Sequence, residues 1–129
     1  MKVLVVNTNG DILVVKESGL DWWNMPDGGM EHGETIKDAI ARELHEEISL
    51  NCDFKYEVIS VEDPHLLRRV KAWQMRIIFI VRPQDETFAP GDDGDEIVFM
   101  KPEYFQESDA TNEQEIYQYW QIAKSRHII

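Results

Sequence analysis

Cysteine is nearly absent: Cys52 is the only one in 129 residues. A lone thiol excludes an internal disulfide framework and suits a reducing cytoplasm, the expected location. Cys52 itself reads as a small buried residue. Long apolar runs are missing too. Val3-Leu4-Val5-Val6, after Lys2, is too short for the apolar part of a signal peptide. No stretch approaches the roughly 20 residues of a membrane-spanning helix. Positive charge is also short: 13 Lys and Arg stand against 25 Asp and Glu, a net charge of −12. Such a chain lacks the basic face of a duplex nucleic-acid binder and is disfavoured at anionic membranes. Repeats, linkers and low-complexity segments are absent.

What remains is sufficient for one domain spanning 1–129, with 43% hydrophobic residues for a core. Lys2 to Val6 is a β-branched run that predicts a strand. Asn9-Gly10 is a strong hairpin signal, and Ile12 to Val15 is the returning strand. Phe54 to Val61 reads as a further strand. Glu62 to His65 reads as a turn, and Arg69 to Val81 as one long strand. Its apolar end, Ile77 to Val81, suggests burial on both faces. A polar loop from Gln84 leads through Asp92, Asp93, Gly94, Asp95 and Glu96 to a short strand, Ile97 to Met100. Pro102 to Phe105 predicts a helical turn, and Thr111 to Ser125 an amphipathic helix that docks through Ile116, Tyr119, Trp120 and Ala123. Composition and periodicity imply α+β or α/β.

The chain is organised around Gly28 to Leu50. Three glycines, Gly28, Gly29 and Gly33, precede Glu34. A helix follows, with Thr35 as N-cap and Ile36, Ile40, Leu44 and Ile48 as its apolar stripe. Glu43 and Glu47 lie one turn apart, with Glu46 beside them. Like charges at that spacing cost about 0.2–0.5 kcal/mol per pair. Acids in the last turn also oppose the helix dipole, by roughly 0.3–1 kcal/mol each. Arg42 offsets only part of this. A bound cation would offset the rest, and an oxygen-only set suits Mg²⁺ or Mn²⁺ better than zinc. From the helix alone, the plainer alternative is a solvated acidic face. The glycine loop tips the balance. His32 and His45 fit no H-E-x-x-H pattern and read as surface residues.

This stretch resembles the signature of the Nudix hydrolases. Gly28 is the first glycine and Glu34 the spaced acid; Arg42-Glu43-Leu44, Glu46-Glu47 and Leu50 complete the pattern. Ser49 stands where glycine usually ends the helix, and Pro26-Asp27-Gly28 where Pro-Gly-Gly is usual. The resemblance implies a Nudix-like α/β/α sandwich with a mixed sheet. It also implies Mg²⁺- or Mn²⁺-dependent hydrolysis of the pyrophosphate bond of a nucleoside diphosphate linked to another moiety, expected to be a nucleoside triphosphate or a related nucleotide. Metal would be held by Glu43, Glu46, Glu47 and the Asp27 carbonyl. One of the late acids, with Asp93 and Glu96 preferred, would join them. Arg42 would orient the carboxylates, and Glu34 would fix loop to helix. The general base would be a helix glutamate or a late-loop acid. Expected substrate contacts are Gly28, Gly29 and Arg76, with Trp22 or Trp23 stacking on a base, although two core or rim aromatics are the commoner outcome. The expected partner is a small nucleotide, with the protein a monomer or homodimer. Alternatives are a Nudix-fold module that binds a nucleotide without cleaving it, and a non-enzymatic metal- or protein-binding domain.

Overall fold

The computed structural model describes residues 1–91 and 96–129. Strands β1 (Lys2–Val6) and β2 (Ile12–Lys16) form the first hairpin. Asn7 builds its turn: the Asn7 side-chain oxygen accepts the N–H groups of Asn9 and Asp11 at 3.0 and 2.9 Å. Gly10 takes φ 82°, a value that favours glycine.

Helix α1 (Ile36–Ile48) is followed by β3 (Phe54–Val61), β4 (His65–Leu67), β5 (Ala72–Gln74), β6 (Ile77–Pro83) and β7 (Glu96–Met100). Two helices close the chain, α2 (Pro102–Gln106) and α3 (Thr111–Ser125). The main sheet has the order β3-β6-β1-β2-β7, with β1 and β6 parallel and the other neighbours antiparallel. Val3, Val5, Phe79 and Val81 pack with Ile40, Leu44 and Ile48 of α1 on one face. Leu4, Val6, Ile78 and Ile80 pack with Phe105 of α2 and Ile116, Tyr119 and Ala123 of α3 on the other. The result is the mixed sheet between helices that the sequence implied. Both faces of β1 and β6 are buried, so alternation alone would not set their register. The hairpin turn and the ladder do.

One long strand was expected from Arg69 to Val81, and the structure divides it. β6 starts at Ile77, and Arg68 to Lys71 form a turn in which Lys71 takes φ 52°. The reason is the reach of the neighbouring strand. β3 pairs with β6 from Phe54↔Pro83 to Val61↔Ile77, where it ends. Beyond that pair the Glu62 N–H still donates to the Arg76 carbonyl at 2.9 Å, after which β4 and β5 pair with each other instead. Cys52 also differs from expectation. It is half-buried, with its sulfur 3.8 Å from the Asp85 carbonyl.

Helix α1 is capped at both ends. The Thr35 hydroxyl accepts the N–H of Asp38 at 3.1 Å. At the other end Ser49 adopts the left-handed conformation, φ 59° and ψ 33°. The N–H groups of Ser49 and Leu50 donate to the carbonyls of His45 and Leu44. The N–H groups of Gly91 and Ala89 donate to those of Glu47 and Ile48, at 2.8 and 3.2 Å. The carbonyls of His45, Glu47 and Ile48 would otherwise lack partners within the helix. The loop before β7 is thereby fastened to the end of the helix that carries the carboxylates.

Candidate active site

The glycine loop and the residues leading into it are anchored to the interior strands β1 and β2 by their backbone. Asn24 bridges Val15 and Asp27 bridges Lys2. The N–H of Val3 donates to the Pro26 carbonyl at 2.9 Å, and that of Gly28 to the Met1 carbonyl at 3.0 Å. This brings the loop against the second half of α1. The Asp27 N–H donates to Glu47 Oε2 at 3.2 Å. A Cβ built on Gly28 would fall on the Glu43 carboxylate. Gly28 does not have a positive φ. Glycine is needed there for space rather than for backbone conformation.

Arg42 ties this corner together. Its Nε and Nη2 donate to the two Glu34 carboxylate oxygens, each at 2.8 Å. Nη2 also donates to the Gly29 carbonyl at 2.8 Å, and Nη1 to Glu43 Oε1 at 2.7 Å. The forked guanidinium suits this task because it presents several donors in one plane. Its hydrogen bonds, followed by the backbone N–H of Glu31, hold the Glu34 carboxyl down at about 2. The same bonds to Glu34 and Glu43 hold the Arg42 proton more firmly than usual. Glu34 thus serves the arginine and the loop, whereas Glu43 keeps Oε2 outside its bond to Arg42 and faces Gly28.

Glu47 is in the opposite condition. Burial, reinforced by the charge of Asp27, pushes its carboxyl up to about 8; Glu43 and Glu17 add to this, against the Asp27 hydrogen bond. The fold thus places several negative groups where one of them is held neutral. A doubly charged cation at this position would remove the penalty, and the donors are oxygen alone. Glu46 stands apart: its side chain is 49% exposed and its Oε2 lies 3.8 Å from Arg42 Nη1. Among the described residues no three acidic, histidine or cysteine side chains converge as a ready metal shell. That still fits Mg²⁺, which commonly uses one or two carboxylates and leaves its other positions to water and substrate phosphate.

Two cavities meet at Lys2 and Asp27. The smaller, about 270 Å³, reaches Glu47, Glu17, Trp22, Asn24 and Asn112. The larger, about 720 Å³, reaches Gly28, Gly29, Met30, Trp73, Met75 and Arg76. Trp22 therefore borders the site. Trp23 does not: it packs against the core beneath Lys16, whose Nζ lies 4.8 Å from the ring centre. Arg76 lines the larger cavity but is engaged by Glu62 at 3.3 Å and Glu115 at 3.5 Å. Glu96 opens β7, paired with Lys16 of β2. Asp93, like Asp92 and Asp95, lies outside the described residues. Sequence reading missed Lys2, Asn24 and Trp73. Lys2 and Asn24 carry no motif signal. Trp73 was hidden within the single long strand expected from Arg69 to Val81, although its polar neighbours were a cue to exposure.

Comparison with known proteins places this geometry in context. Residues 1–121 match the NUDIX domain. A segment of 48 residues is 46% identical to an RNA pyrophosphohydrolase of Psychrobacter sp. (strain PRwf-1), covering 37% of this chain and 28% of that protein. The chain thus spans under a third of that relative's length. The structure resembles the NUDIX domain of Shewanella oneidensis NrtR complexed with ADP ribose, at a TM-score of 0.70 and 13% identity over 98% of this chain and 85% of the other. It also resembles an ADP-ribose pyrophosphatase from Streptococcus suis 89-1591, at 0.66 and 17% identity over 97% and 90%.

Proposed function

Because the chain belongs to the NUDIX domain family, we propose that it is a divalent-metal-dependent hydrolase. Its substrate is a nucleoside diphosphate linked to another moiety, and the bond cleaved is the pyrophosphate P–O–P. The observation that carries this reading is the approach of loop to helix: Gly28 leaves room for the Glu43 carboxylate while Asp27 meets Glu47. Names of similar proteins support the chemistry, an RNA pyrophosphohydrolase and an ADP-ribose pyrophosphatase among them.

Glu43 and Glu47 would hold Mg²⁺ or Mn²⁺, with Glu46, the Asp27 carbonyl and a late-loop acid as further donors. When bound, the ion would neutralise phosphate charge and acidify water. The chain's own residues do the rest. Arg42 keeps Glu43 in place and ties the loop to the helix. Main-chain groups at Gly28 and Gly29 allow phosphate to approach closely, since no side chain intervenes. The oxygen of an attacking water forms a bond to phosphorus, and its proton passes to a carboxylate of α1 or of the 92–96 stretch. The bridging P–O bond breaks, and its electron pair leaves with the departing phosphate. Trp22, at the border of the smaller cavity, offers a ring face to a base.

The test is a panel of nucleoside triphosphates, nucleotide sugars, ADP-ribose and dinucleoside polyphosphates, with Mg²⁺ and with Mn²⁺, following phosphate and pyrophosphate. Glu46→Gln and Glu47→Gln should each lower turnover by about a hundredfold or more while leaving the fold intact. Turnover close to wild type in either variant overturns its assignment. Nucleotide binding without any metal-dependent cleavage would favour the non-catalytic module, a reading that the exposed position of Glu46 keeps in view.

A further inference from the structure

We infer that the site takes a substrate carrying a ring-bearing group at both ends of its phosphate chain, and that Trp73 receives the second ring. This rests on the hydrolase reading above and narrows its substrate class. The two cavities share Lys2 and Asp27, so they adjoin at the residue that meets Glu47 and precedes Gly28. A nucleoside triphosphate has a nucleoside at one end only and would leave one cavity unfilled. The larger cavity is not shaped for phosphate alone. Its cations, Lys2 and Arg76, are already paired with Glu115 and Glu62. Its other wall is apolar and wet: Trp73 is 71% exposed, Met75 55% and Met30 45%. Large apolar side chains left in water around one opening signal a surface that is covered in use.

The hairpin that carries Trp73 pairs only with itself, so the ring is not held by the main sheet. Its turn carries Arg68, Arg69 and Lys71, none of which forms an ion pair among the described residues. In a chain of net charge −12 this is the side from which a polyanion is least repelled. A second copy of the chain is a poorer occupant, because the apolar side chains line a concavity and two such chains repel.

The probes are methylene-bridged, non-hydrolysable analogues of a nucleoside triphosphate and of a dinucleoside tetraphosphate with the same base, titrated calorimetrically in Mg²⁺. The two-headed analogue should bind about tenfold tighter, in line with one stacked base. Trp73→Ala should bring the ratio close to one, and Trp73→Phe should preserve most of it. Circular dichroism checks that both variants fold. A short 5′-triphosphorylated RNA tetramer forms a third arm. If its advantage falls with salt and with Arg68→Ala plus Arg69→Ala, the second ring belongs to RNA; if only the dinucleoside gains, it belongs to a small molecule. Either outcome supports the inference. Equal affinity for the one- and two-headed analogues overturns it, as does a Trp73→Ala effect confined to self-association. Tight two-headed binding without turnover of the hydrolysable compounds removes the hydrolase reading alone; turnover with equal affinities removes this inference alone.

Discussion

Replacing Ser49 with glycine should stabilise the protein. Ser49 is the residue at which α1 stops, and it does so at φ 59° and ψ 33°. A side chain in that conformation brings Cβ close to a carbonyl oxygen and costs roughly 1–2 kcal/mol, which glycine does not incur. Glycine in turn gives the unfolded chain more freedom, a loss of about 0.4–1 kcal/mol. The difference is a gain of about 0.5–1 kcal/mol. For a chain of this length that raises Tm by about 2–4 °C. Among the described residues the Ser49 hydroxyl forms no side-chain hydrogen bond that would be sacrificed. The assay is urea unfolding followed by circular dichroism at several temperatures, with the midpoint rising and the slope unchanged. Ser49→Val, a β-branched residue at positive φ, should move the midpoint the other way. A lower midpoint for Ser49→Gly would refute the reasoning, since backbone relief would then not be the dominant effect at this cap.

Other consequences follow from the same corner of the fold. Gly91→Ala should cost more than about 2 kcal/mol, because its Cβ would fall on the Glu46 carbonyl, with backbone carbons at 2.6 and 2.8 Å that cannot step aside; urea unfolding measures it. Gly28→Ala should behave differently: its Cβ meets the tip of the flexible Glu43 side chain, so stability should change by no more than about 1 kcal/mol while kcat falls about tenfold or more. Equal losses in both quantities would contradict that distinction. Glu34 sets an acid-side signature. Its folded value of about 2 lies below the ordinary 4.5, so its stabilisation is complete above about 4.5 and is lost as pH falls towards 2. Glu34→Gln should flatten that part of the stability–pH curve, and a carboxyl resonance titrating near 2 should vanish from the NMR spectrum. On the alkaline side, burial pushes the Tyr119 phenol up to about 12. Its contribution is complete below 10 and lost between 10 and 12, so one of four tyrosines should ionise late in an absorbance titration.

Much of this protein is determined locally. The Asn9-Gly10 turn, the Thr35 cap, the four-residue stripe of α1 and the bounds of α3 follow from short-range rules of turn chemistry and periodicity, which need no distant partner. The spacing of Arg42, Glu43, Glu46 and Glu47 behind a glycine loop is likewise visible in the chain, because one helix places those groups. What only the tertiary structure decided are matters of two segments meeting. Arg69 to Val81 reads as one strand by composition, yet pairing stops where β3 runs out, and a separate hairpin with an exposed Trp73 results. Trp22 and Trp23 are adjacent and chemically alike; one borders a cavity and the other lies beneath Lys16. Glu34 and Glu47 are the same residue type, but a guanidinium holds one ionised while burial near Asp27 holds the other neutral. Helix and turn propensities act over a few bonds. Cavities, pairing limits and shifted acidities arise from groups far apart in sequence, so they exist only once the chain has folded.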